Sequence, residues 1–262
     1  QAGYTNYFSQ VHGSAFAHVI AQAAKSYDGI LMVLLPDAAG VHSLKNEIDF
    51  FLGDLTKELP VFTLPDWETL PYDIFSPHDD IVSTRLETLH TVSHLQQGII
   101  VVAMNTLMCR LPPQEYLQKY SCIIKQKDVF DIDLMRMQLE SAGYHCVDTV
   151  YTHGEFAVRG SLVDLFPMGS QSPYRIDLFD NEVETLRTFD PETQRSIQQV
   201  DEIYLLPAKE FPLDENGIRF FRTQWHERFD VDHKQCSIYK DISDGIAPAG
   251  IEYYLPLFFK EC

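Results

Sequence analysis

Between His153 and Asp190 the chain sets arginines and an aromatic residue into four short runs of alternating apolar and polar residues. In the run Tyr174–Phe179, Tyr174, Ile176 and Leu178 fall on one side of an extended strand, and Arg175, Asp177 and Phe179 on the other. In 155–159, Phe156 and Val158 point inward, which leaves Glu155, Ala157 and Arg159 outside. An outer face carrying Arg159, Arg175 and Phe179 has the composition of a protein-binding hot spot. Arginine can fork a partner carboxylate with charge-assisted bonds, and an exposed ring can fill an apolar pocket. An exposed phenylalanine alone says little, since much of any protein surface is apolar. Asp177 and Arg187 are weaker candidates, because a cross-strand ion pair on a solvated sheet, worth under about 1 kcal/mol, explains both.

Catalytic chemistry has little to stand on. The chain contains no GxSxG, HExxH, EF-hand loop or GxxxxGK[ST]. Asp201-Glu202-Ile203-Tyr204 imitates the acidic signature of an ATPase, yet Gln198-Gln199-Val200 precedes it where an apolar strand is needed. It reads as a strand edge and its turn. His78, Asp79 and Asp80 are consecutive and so do not face one another on a helix; helix capping is the expected role, not a metal site. His145-Cys146, beside an expected strand, reads as packing. Trp67, Tyr72 and Phe75 could form a base-stacking platform, but pinning a proline-containing loop to a core is the preferred reading.

Composition narrows the classes further. The 262 residues are 45% hydrophobic and 22% charged, which is ordinary for a globular chain. Lys plus Arg number 20 against 38 Asp plus Glu, and the net charge of -18 argues against broad nucleic-acid binding through a basic surface. The five cysteines, Cys109, Cys122, Cys146, Cys236 and Cys262, show no metal-like spacing, so free thiols in a reducing cytoplasm are expected. No signal peptide and no apolar run approaching about 18 residues is present, so no membrane contact is expected.

The elements that must position the face follow from periodicity. Residues 1–10 are polar and read as frayed. A helix at 15–25 with Ser14 as cap, a strand at 30–35, a helix at 41–52, a strand at 61–64, a loop at 66–77, a helix at 79–95 and a strand at 98–103 imply an α/β layer. Asp131 or Asp133 caps a helix that runs to Ser141 and is ended by Gly143. A strand at 147–151 then leads into an antiparallel meander, which 202–206 is expected to close, making an inserted α+β domain. A helix at 217–229 follows.

FAVRGSLVDLFP followed by YRIDLFDNEVETLRTFDPET resembles the second domain of the UvrB family of nucleotide-excision-repair proteins. DWETLPYDIFSPHDD (66–80), NTLMCRLPP (105–113), LLPAKEFP (205–212) and PAGIEYYLPLFF (248–259) extend the resemblance over nearly the whole chain, toward the UvrB-like region of bacterial transcription-repair coupling factors. The resemblance implies a split, degenerate helicase-like (P-loop-type) α/β domain at 1–120. It implies an inserted UvrA-binding α+β domain with an antiparallel sheet at 121–207, and the start of the other α/β half at 208–262, expected to be truncated.

Helicase-like relatives cradle a triphosphate with a glycine-rich loop and its lysine. The matching segment here, Val11 to His18, lacks the lysine and the second glycine and reads as a helix cap. The family's DNA-clamping hairpin is missing between Ser76 and Asp80. The resemblance therefore implies a non-catalytic adaptor without a cofactor, which recruits UvrA to a stalled RNA polymerase for transcription-coupled repair. Arg159, Arg175 and Phe179 are the implied anchors, with Asp177 and Arg187 weaker. ATP, DNA and RNA polymerase would be handled by other domains of the full-length protein. Two alternatives stay open: a degenerate module with residual nucleotide or DNA binding, and an autoinhibitory module docking on a later domain of its own chain.

Overall fold

A computed structural model of the chain describes residues 7–71, 73–232 and 235–261. Residues 1–6, Tyr72 and Cys262 thus lie outside the described residues. In chain order the elements are α1 (Ala15–Ser26), β1 (Ile30–Leu35), α2 (Val41–Leu52), β2 (Val61–Leu64), α3 (Asp79–Val92), β3 (Gly98–Ala103), α4 (Met104–Met108) and α5 (Gln114–Tyr120). There follow β4 (Cys122–Lys125), α6 (Ile132–Ser141), β5 (His145–Cys146), β6 (Glu155–Arg159), β7 (Leu162–Leu165), β8 (Tyr174–Phe179), β9 (Glu182–Phe189), β10 (Ser196–Gln199), β11 (Glu202–Leu205), α7 (Glu215–Arg228) and α8 (Ser237–Ser243). They divide into two units.

The first unit comprises Gln1–Asp66 and His94–Met108. Its sheet runs β1-β3-β2 with all pairs parallel. The sequence of β3, GIIVVA, is apolar from end to end, as a central parallel strand requires, and it is buried along its length. The helices α1 and α2 turn Ala17, Ile20, Ala21 and Ala24, and Val41, Leu44, Ile48 and Leu52, onto Val33, Val61, Ile99 and Val101. Their three- and four-residue spacing is that of a helix with one apolar stripe.

The second unit comprises Trp67–Ser93 and Cys109–Cys262 and contains a six-stranded sheet in the order β10-β9-β8-β7-β6-β5. All its pairs are antiparallel except β5 with β6. The inner face, with Phe156, Val163, Leu165, Ile176, Leu178, Val183 and Leu186, packs in one core with Val82 and Leu86 of α3 and Met135 and Leu139 of α6. Asp131, rather than Asp133, caps α6, its carboxylate accepting from the amides of Asp133 and Leu134. Three expectations are corrected. The helix at 79–95 stops at Val92. The strand expected at 147–151 is instead His145–Cys146, while Val147 and Val150 serve a small apolar cluster. Finally, 202–206 does not close the meander: β11 pairs with β4 in a separate two-stranded sheet. Inward Ile203 and Leu205 satisfy either arrangement, so alternation could not choose between them.

A buried ion pair anchors this unit. Arg85 donates Nε–H to Glu210 Oε1 at 2.5 Å and Nη2–H to Oε2 at 3.2 Å, and Trp67 Nε1–H adds a bond to Oε1 at 3.1 Å. The guanidinium also lies 4.9 Å from the Trp67 ring centre. Loop 66–77 is thereby tied to α3 by Trp67, the loop-pinning role expected of it, whereas Phe75 is exposed. Toward the carboxyl end, Phe221 and Trp225 of α7 pack with Phe211, Ile242, Ile251, Leu257 and Phe258. Among the described residues no helix is long and apolar enough to cross a membrane.

Candidate partner-binding face

The outer face of the six-stranded sheet takes its register from two tight turns. Arg159 pairs with Leu162 across Gly160-Ser161, and Gly160 sits at φ +63°. A Cβ there would meet nothing within 4 Å, so backbone conformation and not space favours glycine. Phe179 pairs with Glu182 across Asp180-Asn181, with Asp180 at φ +55°. Two rows of side chains result. One runs Gln199, Arg187, Arg175, Asp164, Ala157; the next runs Thr185, Asp177, Leu162, Arg159. Arg159, Arg175, Asp177, Phe179 and Arg187 all lie on the face opposite buried Ile176 and Leu178.

Their environments differ. Arg175 is 18% exposed and forks Asp164 through Nε to Oδ1 at 2.7 Å and Nη2 to Oδ2 at 2.9 Å. Its Nη1 donates to the Gln194 carbonyl at 3.2 Å, and its guanidinium lies 4.8 Å from the Phe189 ring centre. The bond to Asp164 raises the Arg175 pKa above the ordinary guanidinium value, against burial, which lowers it. Arg159 is 47% exposed and gives Nη2–H to the same Asp164 Oδ2. Phe179, 69% exposed, walls a shallow hollow of about 500 Å³ with Val129, Asp180, Asn181, Glu182 and Glu184. That hollow is built on a fixed frame, since the Phe130 amide donates to the Asn181 carbonyl and the Val183 amide to that of Asp128.

Two details depart from the alternation argument. Ala157, expected outside, is buried, because Val150, Phe166 and Phe189 form a second small cluster over that end of the face. The cross-strand ion pair offered for Asp177 and Arg187 is not formed: Arg187 stands opposite Arg175, and Asp177 between Leu162 and Thr185. Asp164 was not singled out from sequence. Its signal was there, since a two-residue turn at Gly160-Ser161 places an aspartate in an apolar strand diagonally across from Arg159.

The remaining candidates resolve as structure. His78 caps α3, its Nδ1 accepting from the Asp80 amide at 3.3 Å. Asp80 meets His153 at 2.7 Å, and Asp79 meets Lys209 at 3.5 Å. His145 and Cys146 are exposed on β5, so packing does not account for them. Gly13 and Ser14 lead into α1, where the Ser14 side chain makes no capping bond. Glu202 begins β11 and pairs with Lys125 at 3.0 Å. The four described cysteines form no disulfide. A partly open pocket of about 260 Å³ is lined by Cys122, Met135, Leu139 and Tyr144 among others. The Tyr144 hydroxyl donates to the Leu206 carbonyl and that of Tyr120 to Asp214, so these polar groups are committed to the fold.

Comparison with known proteins bears on this face directly. Residues 123–211, which include all of it, match the family described as the UvrB interaction domain. The chain is 44% identical over 261 residues to the transcription-repair-coupling factor of Escherichia coli K12, a match covering 100% of this chain and 22% of that protein. With the transcription-repair-coupling factor of Haemophilus influenzae it is 46% identical over 248 residues, 94% of this chain and 21% of the relative. With that of Rickettsia prowazekii it is 32% identical over 203 residues, 77% of this chain and 18% of the relative. The chain spans about a fifth of the length of the curated relatives it matches.

Proposed function

Because the chain belongs to the transcription-repair-coupling factor family, in its UvrB-homologous region, we propose that it is a non-catalytic adaptor that recruits UvrA to a stalled RNA polymerase for transcription-coupled nucleotide excision repair. The observation that carries this reading is the arginine and phenylalanine face inside residues 123–211. Arg159 and Arg175 would meet carboxylates of UvrA, and Phe179 an apolar pocket beside them. Asp177 and Arg187 flank these anchors and take secondary contacts. A central anchor of this kind is worth about 2 kcal/mol, or roughly thirtyfold in affinity.

In this reading residues 121–207 are the docking domain, set into a split, degenerate P-loop-type domain formed by 1–120 and 208–262. The protein works in the cytoplasm, and translocation, ATP hydrolysis and contacts to DNA and RNA polymerase belong to other domains of the full-length protein. The test is a calorimetric titration of purified UvrA into this chain, with melting curves recorded with and without ATP. Saturable binding and superimposable melting curves are expected. Absence of UvrA binding, or a melting shift at micromolar ATP, would contradict the adaptor reading.

A further inference from the structure

We propose that Asp164 is a positioning residue for the docking face: its buried carboxylate holds Arg159 and Arg175 side by side in the geometry in which they meet the partner. This rests on the UvrA-docking reading and adds to it a residue that itself touches no partner. Asp164 is 0% exposed on β7, between the core residues Val163 and Leu165. A carboxylate so placed is strongly disfavoured unless it is paired and hydrogen-bonded. Here both oxygens are engaged. Oδ1 takes Arg175 Nε–H, and Oδ2 is shared between Arg175 Nη2–H and Arg159 Nη2–H. One oxygen thus draws two guanidinium groups together that would otherwise repel each other.

The consequence is preorganisation. A free arginine samples many rotamers and loses that freedom on binding. Arg175 is fixed beforehand by Asp164, by the Gln194 carbonyl and by the Phe189 ring, and it backs Arg159, whose outward edge stays in solvent. Asp164 supplies a single negative charge to a row that also contains Arg187. That row therefore keeps a net positive charge for an acidic group on the partner, within a chain of net charge -18.

The isosteric variant Asp164→Asn tests this in two arms. In the first, the chain is examined without UvrA by nuclear magnetic resonance of the arginine Nε–H groups. Arg175 Nε–H is expected to exchange slowly in the wild type and quickly in the variant, with exposed Arg187 as the internal standard. Should the variant fail to fold, the wild-type spectrum decides alone, because exchange at Arg175 as fast as at Arg187 would overturn the proposal. In the second arm UvrA is titrated against the wild type, Asp164→Asn, Arg159→Ala and the double variant. Asp164→Asn is expected to weaken binding about tenfold, with much less further loss in the Arg159→Ala background. Losses that simply add, or an unchanged affinity of Asp164→Asn beside a weakened Arg159→Ala, overturn the positioning role and leave the docking face standing. No binding by the wild type would remove both.

Discussion

Arg175 and Arg187 lie directly across from each other on β8 and β9, two like charges in register, and of the pair Arg175 is the one answered by a carboxylate among the described residues. Like charges directly opposite on a sheet destabilise it. Their juxtaposition is therefore an expense of the fold that a partner's acidic group would offset. Arg187→Thr is expected to raise stability by up to about 1 kcal/mol in urea denaturation while weakening UvrA binding severalfold. A variant that is both less stable and fully competent to bind would contradict this division of roles.

The Arg85–Glu210 pair makes the opposite prediction, since both side chains are 1% exposed and Trp67 shares the same carboxylate. Glu210→Ala removes the carboxylate that the buried guanidinium and the indole N–H share. A loss of about 3–5 kcal/mol is expected. Replacing both partners at once, as Arg85→Met with Glu210→Leu, is expected to cost less than Glu210→Ala alone. Denaturant midpoints of the single and double variants check the ordering.

Acid sensitivity at Glu252 has a definite sign. Burial raises its pKa above the ordinary 4.5, with its hydrogen bonds, including that from the Ser76 hydroxyl at 3.2 Å, lowering it in part. A carboxyl whose pKa is raised on folding contributes stability below its unfolded value, and the contribution is lost as pH rises through the folded value. At pH 7 the ionised group is therefore a burden on the fold. Glu252→Gln is expected to raise the melting temperature at pH 7, with the difference from wild type shrinking as pH falls through the raised value toward 4.5 and levelling off below it. A difference that grows on acidification would reverse the assignment.

Much of this arrangement was legible in the chain because the physics behind it is local. Alternation put Arg175, Asp177 and Phe179 opposite Ile176 and Leu178, and the apolar runs of β1 and β3 marked parallel strands, although β1, expected to be buried, leaves Met32 and Leu34 exposed. What escaped depends on long-range partners. Ala157 looked solvent-facing because the residues that cover it, Val150, Phe166 and Phe189, come from three separate segments. The pairing of Asp164 with Arg175 depends on the connection between β7 and β8, whose length does not set a register. Nor could alternation in 202–206 reveal that β11 takes β4 as its partner. The name of the partner came from resemblance and not from spacing; the residues themselves specified a face with arginines and an exposed ring.

The docking face is tested most directly by titrating purified UvrA against the wild-type chain, Phe179→Ala and Arg159→Ala. Phe179 is exposed at a turn and Arg159 sits at the solvent edge of its ion pair, so stability losses of about 1 kcal/mol or less are expected. Binding is expected to be saturable in the wild type and roughly thirtyfold weaker for Phe179→Ala, with a clear loss for Arg159→Ala. Wild-type affinity in both folded variants would contradict docking through this face and move the interface elsewhere on the chain.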